Sequence, residues 1–434
     1  MTSGLETLKP GVDPDRPVHI IFVGAGAVGC FYASRLHHPA HSLHVSLVAR
    51  SNYKELADHG VHLQTHTFGD YTFRPHAVFP SVAEAARARP SSGWDYIIVT
   101  TKALPDRLDD SALIAPLVGP HSCIVLIQNG LGVEQPHRAR FPRNPIVSAV
   151  TVISAVQTSP GTVRQNRWTR IHLGPYSDSA SFSLPDKAGA GGDSSLSGSS
   201  RDATIHLPRG DDTTGALASP LEDPSAASSS SPVDIVAPAA GAGEEDKSAL
   251  QTLGAHHALL LADWWTRLGG IRDAEATANE LELQSLRWHK LCINAAFNPS
   301  AVLSGGRGNA DMISDPELRK HVEGVMREVW DAAGKVLSHV SNGGSGGKAV
   351  FPPPGAAEPE RILKSTEKNK GSKPSMLLDW ESGRPLELEV ILGNPVRIAR
   401  ARGVEMPRLQ SLYALLKSAA EMREREKKAG KEKL

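Results

Sequence analysis

Val18-His19-Ile20-Ile21-Phe22-Val23-Gly24-Ala25-Gly26-Ala27-Val28-Gly29 is the stretch whose reading decides the fold. Its first six residues are an almost unbroken apolar run, the pattern of a strand covered on both faces. The run ends on a G-x-G-x-x-G, and residues 28–36 are helix-compatible. Strand, glycine turn and helix together form a dinucleotide-binding unit. Gly24 permits the tight turn, Gly26 lets backbone approach a pyrophosphate, and Gly29 allows close helix–strand packing. The helix N-terminus offers free N–H groups and a positive dipole end to the phosphates. Gly24, Ala25, Gly26, Ala27, Val28 and Gly29 are therefore the first cofactor-binding candidates. Glycines in an ordinary turn are the competing account.

Working outward, Leu43-His44-Val45-Ser46-Leu47-Val48 reads as a second strand. Further runs follow at 96–99, 123–127 and 146–150. Alternation of such runs with helix-like segments implies βαβ units and a doubly wound sheet. The end of the second strand bears on the cofactor. An NAD-preferring site carries Asp or Glu about 20 residues past the glycine loop to bond the ribose hydroxyls. Here Val48-Ala49-Arg50-Ser51-Asn52 offers no carboxylate and one guanidinium, at Arg50. A guanidinium pairs well with a 2′-phosphate, which favours NADP(H) over NAD. A solvated surface arginine is the alternative.

Bulk composition excludes several classes of function. The 434 residues are enough for two or three domains, and 40% hydrophobic content supports a core. With 47 basic and 47 acidic residues, no net field points to nucleic acid or an anionic membrane. Aromatics, at 5%, are too scarce for base-stacking platforms. Cys30, Cys123 and Cys292 form no C-x-x-C pair and no zinc spacing, so no metal site is expected and a reducing compartment is. No apolar run reaches the roughly 18 residues of a membrane span. Residues 1–17 lack the features of a secretory signal or a transit peptide. Cytoplasm is the expected location, with the mitochondrion the lesser alternative.

Residues 177–246 are rich in Ser, Ala, Gly, Pro and Asp, and read as a disordered insertion. Helical patterns resume at 250–268 and 281–297, then at 375–380, 386–402 and 407–425. A second flexible stretch is expected at 341–354, and a fraying charged tail from 423 onward. The expected organisation is an extension at 1–17, a dinucleotide-binding domain at 18–275, a helical domain at 276–425 and a tail at 426–434.

The most informative segment of the second half is Trp288-His289-Lys290-Leu291-Cys292-Ile293-Asn294-Ala295-Ala296-Phe297-Asn298-Pro299. Lys290, Asn294 and Asn298 follow at i, i+4 and i+8 on a largely apolar helix. A lysine there costs several kcal/mol (on the order of 2–7) unless it is paired or lines a polar cavity. Cleft lining explains the stripe, and partial desolvation would bring the ammonium towards the range of a general acid near neutral pH. A lysine snorkelling from a core helix is the competing explanation.

These segments together resemble the ketopantoate reductase (2-dehydropantoate 2-reductase) family. The resemblance starts at the glycine loop and continues through Val99-Thr100-Thr101-Lys102 and Gln128-Asn129-Gly130-Leu131-Gly132. It then takes in the lysine–asparagine stripe with its Asn298-Pro299, Ser375-Met376-Leu377-Leu378-Asp379, and Glu387. It implies an α/β N-terminal Rossmann domain, an all-α C-terminal domain, and an active site in the cleft between them. It further implies NADPH-dependent reduction of ketopantoate to pantoate. By position, Lys290 would be the general acid, and Asn294, Asn298, Ser375 and Glu387 would bind substrate. Lys102 and Asn129 would contact the cofactor and Arg50 its 2′-phosphate. The implied partner is a small 2-oxo acid, with no nucleic acid or membrane, and a homodimer is an open expectation. Leu386 stands before Glu387 where the family often has Thr. For Ser375, a helix N-cap is an equally good local account.

Overall fold

The computed structural model describes residues 16–178, 244–341 and 351–431. The strands are β1 (Val18–Val23), β2 (Leu43–Val48), β3 (Val61–Thr65), β4 (Gly69–Phe73), β5 (Val78–Phe79), β6 (Tyr96–Val99), β7 (Cys123–Leu126), β8 (Ile146–Ser159), β9 (Thr162–Pro175) and β10 (Ala274–Ala276). They pair in the order β4-β3-β9-β8-β7-β6-β1-β2-β5, with β10 also on β9. From β5 to β8 every pairing is parallel. The order β5-β2-β1-β6-β7-β8 is that of a dinucleotide-binding sheet, with its switch point between β1 and β6. The expected Rossmann sheet is present.

The helices around and after the sheet are α1 (Ala27–Ser34), α2 (Tyr53–His59), α3 (Val82–Arg87), α4 (Asp110–Ile114), α5 (Gln135–Arg140), α6 (Glu244–Asp263), α7 (Glu280–Leu303), α8 (Asn309–Ser314), α9 (Pro316–Ser341), α10 (Pro359–Thr366), α11 (Ser375–Glu381), α12 (Asn394–Arg400) and α13 (Pro407–Lys431). β1 shows why both faces of the sheet are dry. Ile20 and Phe22 point into a layer with Phe31 of α1 and Leu261 of α6. Ile21 and Val23 point the other way, to Val82, Ala85 and Ile114. All four of these strand residues are at most 2% exposed, and each such burial stabilises by about 1.5–3 kcal/mol.

The helical region has its own core, in which Leu291, Ala295 and Ala296 of α7 meet Val322, Val325 and Val329 of α9. That core also takes in Ala103, Leu131 and Val133, from the loops after β6 and β7. It therefore runs without a break to the carboxyl ends of the strands, where an open α/β sheet places its site.

Several expectations need correction. The sheet carries an antiparallel extension, because β8 runs on to Ser159 and turns back as β9. Beyond Val150 its apolar residues are interleaved with Thr151, Ser154 and Gln157 in β8 and with Arg164, Gln165, Asn166 and Arg167 in β9, so the apolar-run criterion passes over it. Arg16, expected in a flexible extension, bonds Asp95 at 3.0 Å. Ser177 is also placed, its N–H and hydroxyl donating to buried Glu280 at 2.9 and 2.7 Å. Helical structure resumes at Glu244, before Leu250. The remainder of the expected 177–246 insertion lies outside the described residues, as do 342–350. Phe351, near the end of the second expected flexible stretch, packs edge to face against Trp330 with ring centroids 4.9 Å apart. α7 continues through Pro299 to Leu303, where Ala301 and Val302 reward the extra turn with burial. Within the expected helix 386–402, residues 388–400 are helical without a break, but they include a π-helical turn (Glu389–Gly393) before α12. α13 holds its form to Lys431, beyond the expected start of the fraying tail.

Candidate functional site

The glycine turn stands at the carboxyl end of β1. Gly24 has φ +114°, which side chains other than glycine rarely adopt. Its carbonyl accepts the Thr100 hydroxyl at 2.5 Å, binding the turn to the end of β6. At Gly29 there is no space, because a methyl group would lie 2.2 Å from the Gly24 carbonyl oxygen. At Gly26 a methyl would meet nothing within 4 Å. Gly26 caps α1 without a side-chain bond to the first amides. Close packing behind, open space in front and unspent N–H groups suit the pyrophosphate of a dinucleotide. Arg50 is exposed just past the end of β2, and its charge acts on Asp110 at the start of α4.

A small, partly open pocket lies beside the loop after β7, lined among others by Asn129, Gly130, Val150, Lys290 and Asn294. Within it, Lys290 Nζ donates to Asn129 Oδ1 at 2.9 Å. Asn129 Nδ2 donates to Glu387 Oε2 at 3.2 Å, and the Ala103 N–H donates to Glu387 Oε1 at 3.3 Å. Lys290 from α7, Asn129 from the loop after β7 and Glu387 from the approach to the π-helical turn thus form one chain of bonds. The Lys290 ammonium is held by Asn129 at the pocket wall. Desolvation, assisted by the Arg287 charge and opposed by Glu387, brings the ammonium from 10.5 to about 8. Burial pushes the Glu387 carboxyl up, against the Asn129 bond and the Lys102 charge.

The other expected residues divide. Asn294 lines the pocket one turn past Lys290. Asn298 is 2% exposed, and its Oδ1 accepts the Met376 N–H at 3.3 Å. It orders the first turn of α11 and is not among the pocket's lining residues. Ser375 is the first, exposed residue of α11. The cap is Pro374, without a side-chain bond, so the N-cap account of Ser375 fails. Lys102 pairs with Asp379 of α11, which also holds Arg384 at 3.0 Å. Two residues the sequence did not single out are Arg287, on the pocket wall, and its ion-pair partner Glu134. The one available signal was the spacing of Arg287, three positions before Lys290. Among the described residues, no group of three or more His, Cys, Asp or Glu is placed to hold a metal. No helix among them is long and apolar enough to cross a membrane.

A dinucleotide-binding sheet, joined at its carboxyl edge to a helical region that supplies a buried lysine, defines a class: nicotinamide-dependent oxidoreductases acting on CH–OH groups. Comparison with known proteins narrows this. The family model for ketopantoate reductase PanE/ApbA matches residues 20–178, and that for ketopantoate reductase PanE/ApbA C terminal matches 282–420, together well over half of the chain. The chain belongs to the ketopantoate reductase family. An uncharacterized protein of Saccharomyces cerevisiae is 28% identical over 92% of this chain and 92% of its own length. A 2-dehydropantoate 2-reductase of Nostoc is 23% identical over 91% of this chain and 93% of its own. The crystal structure of 2-dehydropantoate 2-reductase from Methylococcus capsulatus is 29% identical, with a TM-score of 0.62, covering 94% of this chain and 97% of its own.

Proposed function

We propose that this protein reduces 2-dehydropantoate (ketopantoate) to (R)-pantoate with NADPH, a step of pantothenate and coenzyme A synthesis. The observation that carries the reading is the Lys290–Asn129–Glu387 chain of bonds, whose first two members line the pocket beside the loop after β7. When bound, NADPH supplies hydride to the keto carbon. The carbonyl oxygen then gains negative charge, which the Lys290 ammonium stabilises and neutralises by giving up its proton. Asn129 holds that ammonium in place, and Glu387, sharing the Asn129 amide, meets the hydroxyl end of the substrate. Asn294 lies on the same wall to orient it. Ser375, exposed on the first turn of α11, meets the substrate carboxylate, with Asn298 fixing that turn from behind. Lys102 and Arg50 face the cofactor.

Two assays test this. Purified protein with NADPH and a panel of small 2-oxo acids should turn over ketopantoate with the highest kcat/KM. Turnover of another oxo acid with none on ketopantoate replaces the substrate while leaving the class intact. Arg50→Ala should raise KM for NADPH by about ten- to a hundredfold and leave KM for NADH near wild type, since a charge-assisted bond to phosphate contributes about 1.5–3 kcal/mol. Equal effects on both cofactors would remove Arg50 from the 2′-phosphate.

A further inference from the structure

Arg287 has no part in the reaction as just described, yet it forms part of the pocket wall. It precedes Lys290 by about one turn of α7 and is 4% exposed. Its Nη1 donates to the Gln128 carbonyl at 3.1 Å and the Gly130 carbonyl at 2.9 Å. Those two carbonyls bracket Asn129, the residue that holds Lys290. Nη2 reaches β8, bonding the Ser148 hydroxyl and, at 3.3 Å, the Ala149 carbonyl. Nε lies 3.0 Å from Glu134 Oε1, and the two side chains are 3% and 1% exposed. The same Glu134 oxygen accepts the Ser148 hydroxyl at 2.7 Å.

Stability is a weak reason for such a pair, because apolar residues of similar volume usually do as well in a buried contact. Apolar residues cannot grip both carbonyls of one loop, nor set a charge one turn from a reactive ammonium. We propose that Arg287, with Glu134 as its counter-ion, is a positioning residue for the reaction: it fixes the 128–130 loop so that Asn129 holds the Lys290 ammonium, and it presents a compensated positive charge beside that group. The inference rests on Lys290 being the proton donor.

The charges that bear on Lys290 come from several elements. Arg287 lies on its own helix and lowers its affinity for the proton, whereas Glu387 raises it. Lys102, from the loop after β6, and Asp379, on α11, act on Glu387. Glu134, at the start of α5, acts through Arg287. Removing Glu134's charge and removing Arg287's charge should therefore move Lys290 in opposite directions.

The test is the pH dependence of kcat/KM for ketopantoate reduction by the full-length protein. The alkaline limb of that profile reports the free enzyme's acid. Glu134→Gln keeps shape and hydrogen bonding but leaves the guanidinium uncompensated, so the limb should fall by about half a pH unit or more. Arg287→Met should raise it by a similar amount. Arg287→Lys keeps the charge but loses the planar fork, so kcat should drop about tenfold with the limb near its wild-type position. A merely structural pair would lower activity in proportion to folded fraction, equally at every pH. Limbs that stay fixed, or that move in one direction in both charge-altering variants, overturn the proposal, with folded fraction checked by circular dichroism. If Arg287→Met does not fold, Glu134→Gln and Arg287→Lys decide it. Failure of the proton-donor reading is seen separately, as undiminished turnover in Lys290→Ala.

Discussion

Lys290→Ala is expected to lower kcat for ketopantoate reduction by about a thousandfold or more, with NADPH affinity, followed by fluorescence titration, within about threefold of wild type. General acid catalysis contributes about 10²–10⁴ and stabilisation of a developing oxyanion about 10²–10³, and one ammonium supplies both here. The pH dependence has a definite sign. The ammonium titrates at about 8, so it carries its proton below that pH and loses it above. Reduction should be flat on the acid side of about 8 and decline on the alkaline side. Stability moves in the opposite sense. The folded-state value lies below the ordinary lysine value of 10.5, so below pH 8 folding must hold a charged group in a desolvated site. That penalty lifts as pH rises from 8 towards 10.5, because over that range the unfolded chain binds more protons than the native one. Lys290→Met should thus be more stable than wild type at pH 7 by about 1–3 kcal/mol in urea unfolding, after discounting the lost Asn129 bond. The gain should vanish above pH 10.5. A Met variant less stable at pH 7 would mean that the lysine bears no desolvation cost, and its assignment as a poised acid would fall with it.

How much of this was legible in the chain depends on the distance over which each signal acts. β1, β2, β6 and β7 were plain because both their faces are largely dry and their positions are apolar save His19, His44 and Ser46. β3 and β4 were not, since Gly69-Asp70-Tyr71-Thr72-Phe73 alternates and half of it meets solvent. Lys290 and Asn294 share the pocket as their spacing suggests. Asn298 does not join them, and helix geometry explains why: eight residues at 3.6 per turn rotate a side chain by about 80°, which turns it towards α11. Beyond its spacing from Lys290, nothing local marked Arg287 as a site residue, because an arginine on a helix ordinarily reads as a solvated one. What makes it a clamp is Glu134, distant in sequence, and charge pairing across that distance leaves no local pattern. Glu387 was found only through resemblance, since nothing in Leu386-Glu387-Leu388-Glu389 distinguishes a buried carboxylate from an exposed one.

The glycine turn makes the second large prediction, and it separates folding from binding. Gly26→Ala should leave stability within about 0.5 kcal/mol of wild type, because its new methyl meets no protein atom within 4 Å and the backbone at φ −83° accepts any residue. The methyl nevertheless occupies the open side of the turn, where backbone must approach the pyrophosphate. NADPH affinity should fall by tenfold or more. Gly29→Ala should lose both properties. Its methyl would stand 2.2 Å from the Gly24 carbonyl oxygen and 2.6 Å from Thr100 Oγ1. Those two atoms are bonded to each other at 2.5 Å, so neither yields without opening the junction of β1, α1 and β6. Overpacking of this kind costs about 1–3 kcal/mol or more, read as a lower urea midpoint, and it displaces the amides of the turn as well. Calorimetric titration of both variants with NADPH, beside their unfolding curves, gives the comparison. If Gly26→Ala bound NADPH as wild type does, the pyrophosphate would not lie against this turn, and the cofactor would have to be placed elsewhere on the carboxyl edge of the sheet. If Gly29→Ala were as stable as wild type, the close approach of α1 to β1 would not be what the third glycine is for.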